Sequence, residues 1–209
     1  DDGLPMATAL AFRCDQAVAA LGESASLENA IFAAAAGRLD LLEQLVDGQG
    51  RATDRNVHCR VPWLRMATDA RRIAEQALVA AAQCGQLDAV RWLLARGIEA
   101  GAAPVESRTA AHEAAFAGHV EIVRALLAHG ADPDVREEVY HSTVFGWAHE
   151  GKREAVIEAL LETHEPSLYD AVDLNLVDGV RRHLDRDPSL VDAPDAVSYT
   201  HLRAHETEA

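Results

Sequence analysis

The chain sets 34 acidic against 19 basic residues in 209, a formal charge of −15, and 49% of it is apolar although only 5% is aromatic. That balance argues against a general binder of nucleic acid or of anionic membrane, whose footprint is basic. The longest apolar runs, such as Ala30 to Gly37, are too short to span a bilayer.

A core built from alanine, leucine and valine suits closely packed helices, and a chain of this length is enough for one elongated domain. Cys14, Cys59 and Cys84 are odd in number and widely spaced. They fit reduced thiols better than a disulfide framework or a C-x-x-C zinc site. No signal peptide is visible, and the start at Asp1 without an initiator methionine reads as a fragment or a processed product.

Residues 1–26 are expected to hold a degenerate helix pair, with Leu10, Val18 and Leu21 buried and Arg13 at its turn. Leu27 to Val46 gives the next pair: Ala33 to Ala36 allow close backbone approach, and Leu39, Leu41, Leu42, Leu45 and Val46 supply an apolar stripe. Residues 47–72 form an inserted loop, rich in arginine from Arg51 to Arg72. It reads as a finger extended by a short helix near Met66 to Arg72 with its arginines solvated, or as a basic contact for an acidic partner or a phosphate. Trp63 in this loop is expected to pin it to the rest of the chain.

Ile73 to Gly97 is a third pair, with Trp92 expected in the core beside Val90, Leu93 and Leu94, and residues 98–107 form a finger with little side chain to offer. The fourth pair is the clearest. Thr109 caps a short helix that Gly118 ends, and Val120, Val123, Leu126 and Leu127 recur at helical spacing up to Gly130. Ala131 to Asp134 is turn chemistry, opening a finger in which Arg136, Glu137, Glu138, Val139, Tyr140 and His141 can project.

A fifth pair spans Thr143 to Thr163 and a sixth Ser167 to Leu184. Counted from Thr143, Trp147 aligns with Glu113 on the polar side of the first helix; counted from Gly151, it aligns with Ala114. Val197 to Thr207 lacks this periodicity and resembles a translated sequencing adapter, so residues 197–209 are expected to lie outside a 1–196 array.

Turn positions 13, 37, 85, 118, 151 and 175 are separated by 24, 48, 33, 33 and 24 residues. A helix pair with a turn at a 33-residue period, together with Thr109, His112, Ala114, Ala115, Gly118, His119, Glu121, Ile122, Val123, Leu126, Leu127, Gly130, Ala131 and Asp132 in order, resembles the ankyrin repeat. Ala110 and Ala111 depart from that pattern, as do Arg13 and Asn175 at the end turns. The resemblance implies an all-α solenoid of about six stacked helix pairs with short β-hairpin-like fingers. It also implies that His112 tightens its first turn and that His119 bridges neighbouring repeats. The segment from Thr143 to Ala148 is similar to bacterial ankyrin-repeat proteins, which implies a cytoplasmic setting.

No H-E-x-x-H, G-x-S-x-G or Walker-type loop is present, so no catalytic, cofactor or metal residue is expected. The expected function is non-catalytic binding of a protein partner by a monomer, on the concave face lined by first helices and fingers, with no role for nucleic acid or membrane. Glu113, Phe116, Glu137, Glu138, Tyr140 and Trp147 are the expected contacts. Phe116 and Trp147 could equally pack between repeats. The alternatives are a targeting arm for a catalytic domain beyond the fragment, and an acidic face that masks a basic enzyme.

Overall fold

The computed structural model describes residues 9, 15–24, 29–53, 69–104 and 107–192. Most of the inserted loop with Trp63 and Cys59, the first turn with Leu10, Arg13 and Cys14, and the tail lie outside the described residues. The chain forms two compact units, residues 1–163 and 164–209.

Every regular element of the first unit is helical among the described residues: α1 (Asp15–Ser24), α2 (Ala30–Ala35), α3 (Leu39–Leu45), α4 (Ala70–Gln83), α5 (Leu87–Ala95), α6 (Ala110–Ala117), α7 (Val120–Ala128), α8 (Val144–Glu150) and α9 (Glu154–Leu161). The second unit holds α10 (Leu168–Asp173), α11 (Val177–Arg186) and a 3₁₀ turn at Pro188–Asp192.

In the first unit α2, α4, α6 and α8 stack in sequence as one layer, and α3, α5, α7 and α9 stack behind them as a second. Alanine makes the first layer possible. All six residues of α2 are buried, as are Ala77, Ala81 and Ala82 in α4 and Ala110, Ala111, Ala114 and Ala115 in α6. Larger side chains fill the space between the layers: Leu42, Leu78, Leu93, Ile122, Leu126, Phe145 and Leu160 are all buried. Each pair taken alone exposes a greasy side that only the next pair covers, so stability comes from neighbours rather than from any one unit.

Two expectations change. The short helix expected near Met66 to Arg72 is in part the first turn of α4. That helix starts at Ala70 behind the Asp69 cap, whose carboxylate accepts from the Arg71 and Arg72 backbone N–H. Trp92 is half-buried rather than core, because its place on α5 leaves the ring at the surface, where the Arg96 guanidinium lies 3.2 Å from its centre.

The turns repeat with one shift. Gly37, Gly85 and Gly118 have φ of 68°, 73° and 93°, the left-handed region that glycine tolerates. In the next pair that conformation falls on Lys152 (φ 56°), whereas Gly151 has φ −71°. Lys152 follows the cap Thr143 by the same interval that separates Gly118 from Thr109. Gly151 is instead required by close approach, since a Cβ there would sit 2.5 Å from the Phe116 carbonyl oxygen. In the second unit Asn175 (φ 54°) takes the left-handed place, as its short polar side chain allows.

Candidate functional site

The candidate site lies where α6 and α8 meet the finger between them. Thr109 opens α6: its backbone N–H donates to His112 Nδ1 at 3.2 Å, and its hydroxyl lies 2.9 Å from the same atom. Since Nδ1 accepts, the ring proton is on Nε2, which donates to the carbonyls of Val135 at 3.1 Å and Ser142 at 3.3 Å. One neutral imidazole thus closes the first turn of α6 and ties both ends of the finger to it. Burial holds the His112 pKa below its usual value, and the Ser142 and Val135 carbonyls oppose that shift. His119 spends its Nε2 on the Gln83 carbonyl at 3.2 Å, across the boundary between two pairs, and His129 Nδ1 lies 2.8 Å from the Ala125 carbonyl.

The six expected contact residues divide by burial. Glu113 is 2% exposed, Glu137 1% and Trp147 7%. The expectation of a polar side on the first helix fails because α6 has α4 on one flank, α8 on the other and α7 behind it. Alanines bring these neighbours close enough to enclose Glu113, whose Oε1 accepts from Arg108 Nη1 at 3.2 Å. Trp147 takes the place in α8 that Glu113 has in α6. It packs edge-on against His112 and Phe116, with ring centres 5.6 and 5.8 Å apart, and the Arg108 guanidinium lies 5.7 Å from its centre. Phe116 is half-buried.

Glu137 is buried for a different reason. Its carboxylate accepts from three backbone N–H groups of its own finger: Val139 at 2.6 Å, Tyr140 at 2.7 Å and Ser142 at 3.2 Å. The finger closes on itself through Glu137 N–H to the Ser142 carbonyl, with His141 left-handed at φ 54°. Val139 and Tyr140 are turned out at the tip, 52% and 68% exposed. Glu138, also exposed, accepts from Ser107 Oγ of the preceding finger at 2.6 Å. Val139 and Arg108 were not among the expected contacts. The signal for Val139 was present in the E-E-V-Y run, which places an apolar residue in turn chemistry with no helix to bury it.

The family model for ankyrin repeats (three copies) matches residues 30–137 and again 78–178. The chain belongs to the ankyrin-repeat family. No curated protein matches it. Ankyrin repeats are in general protein–protein interaction modules and typically non-catalytic, and the geometry of this array accounts for both His112 and His119 as structural groups. Among the described residues no helix is long and apolar enough to cross a membrane.

Proposed function

We propose that this ankyrin-repeat array is a non-catalytic module that binds a protein partner on the face lined by its first helices and fingers, the concave face of such arrays. The observation that carries the reading is the Glu137–Ser142 finger, which holds Val139 and Tyr140 outward while its own backbone is tied down. Exposed tyrosine on a fixed backbone supplies contact area at small entropic cost. Phe116, Glu138 and Tyr140 are the contacts within reach of a partner. Glu113, Glu137 and Trp147 serve them from beneath, by holding α6, α8 and the finger in register.

The test is affinity capture on the full chain beside a Tyr140→Ala, Glu138→Lys variant. Proteins retained by the wild type and lost from the variant, at matched thermal stability of the two chains, support the reading. Equal retention on both sinks it.

A further inference from the structure

The finger's charge and its internal carboxylate narrow the class of partner, provided that the protein-binding reading holds. Removing a carboxylate from water is unfavourable unless hydrogen bonds replace the lost solvation. Here three backbone N–H groups replace it, and all three belong to the few residues after Glu137. The stacking of helix pairs does not need this arrangement, since among the described residues of the preceding finger the carboxylate of Glu99 is exposed. What the Glu137 anchor does is fix the outline of an exposed Val139–Tyr140 tip, including the left-handed backbone at His141 that a residue other than glycine adopts at a cost. A buried charge and a strained residue that together support two exposed apolar side chains amount to a preorganised contact.

The electrostatics of the same segment select its occupant. Between Asp132 and Ser142 the exposed charges are Asp132, Asp134 and Glu138 against Arg136. The Asp132 and Asp134 carboxylates lie within 4.8 Å of each other, and the Asp134 N–H donates to Asp132, which fixes the first of them. The Glu137 charge beneath adds to the negative potential, because N–H dipoles stabilise it without cancelling it. The chain as a whole carries −15. An anionic surface, nucleic acid included, is repelled from such a tip. A lysine or arginine side chain is attracted: its ammonium or guanidinium meets carboxylates and a tyrosine ring, and its aliphatic stem meets valine.

We infer that the Asp132–Ser142 finger is a preformed docking point for a cationic segment of a partner protein, one in which lysine or arginine alternates with apolar residues. The experiment titrates the isotope-labelled full chain with three synthetic peptides of equal length, alternating arginine with leucine, arginine with serine, and glutamate with leucine. Amide resonances are followed by NMR. The arginine–leucine peptide is expected to shift the Glu138–Ser142 amides. Tyr140→Ala should weaken it by about tenfold, the loss of a hot-spot contact, and added salt should weaken it further.

Binding of the glutamate–leucine peptide at the finger, equal binding of the arginine–serine peptide, shifts confined to other parts of the array, or no shifts with any peptide each overturn the assignment. If the peptides fail while affinity capture still depends on Tyr140, the cationic class is wrong and the protein-binding reading stands. If capture also ignores Tyr140, both fall.

Discussion

Replacing Gly151 with alanine tests whether this glycine is kept for close approach, and the companion change at Lys152 tests which residue is the true turn position. Gly151 has φ −71° and ψ −8°, a conformation any residue adopts. On local grounds alone, alanine there should stabilise the chain by about 0.5–1 kcal/mol through reduced backbone freedom. The surroundings reverse that sign. A Cβ would lie 2.5 Å from Phe116 O and 3.1 Å from Phe116 Cα, and neither backbone atom can swing aside as a side-chain end can. The end of α8 must therefore move off α6, which also strains the bond from Arg153 Nε to the same carbonyl at 2.9 Å. Overpacking of this kind costs about 1–3 kcal/mol; contact with backbone puts this case near the upper end, about 2–3 kcal/mol, so the net loss is about 1–2 kcal/mol.

The companion change, Lys152→Gly, should go the other way. It relieves a left-handed lysine, worth about 1–2 kcal/mol, against the larger unfolded-state freedom of glycine, about 0.4–1 kcal/mol. Urea unfolding followed by far-ultraviolet circular dichroism reads both. With a slope of about 2 kcal/mol per molar urea, the Gly151→Ala midpoint falls by about 0.5–1 M while that of Lys152→Gly rises slightly. A midpoint that rises for Gly151→Ala would show that the Phe116 backbone does not crowd that position, and one that falls for Lys152→Gly would show that Lys152 is not the left-handed turn residue.

Burial depresses the His112 pKa, so between that lowered value and the ordinary one near 6.5 the unfolded chain binds more protons than the native one. The stability gained is present above about pH 6.5 and is lost as pH falls through the folded-state value; a His112→Gln chain whose urea midpoint has the same pH slope as the wild type would contradict this. Trp147→Ala should cost about 3–5 kcal/mol as a cavity, whereas Tyr140→Ala should stay within about 0.5 kcal/mol, and thermal melts that rank them in the opposite order would overturn the division into support and contact. Glu137→Gln puts a donor where three N–H groups need acceptors, costing about 1–3 kcal/mol. Hydrogen exchange at the Val139, Tyr140 and Ser142 amides should speed up, and unchanged protection there would mean that the carboxylate does not hold the finger.

The repeat was legible because its signals are local. Thr109, His112, Gly118 and the Ile122, Val123 and Leu126 stripe act within one pair or on the next, so their order in the chain already states their use. Burial of Glu113 was not legible, and that of Trp147 stood only as one of two open alternatives, since both depend on alanines in α4 and α8 that bring two flanking helices close to α6; helical spacing alone marks only a polar side. The slip from Gly151 to Lys152 showed in the sequence only as the one-residue disagreement between the two alignments of Trp147. Glycine at a turn reads as left-handed, and only the neighbouring Phe116 backbone shows that this one is small for want of space. Trp92 fell on an apolar stripe by periodicity yet stays half-buried under Arg96, because among the described residues no third layer lies behind the outer one.

Gln86 lies over Gly37, His119 over Gly85 and Arg153 over Gly118, each reaching from a later pair onto the turn of an earlier one. The dependence therefore has a direction. A pair emerging from the ribosome keeps an unsealed turn until its successor has been made, so this array matures from front to back, and cutting away a later pair strips the seal from an earlier one.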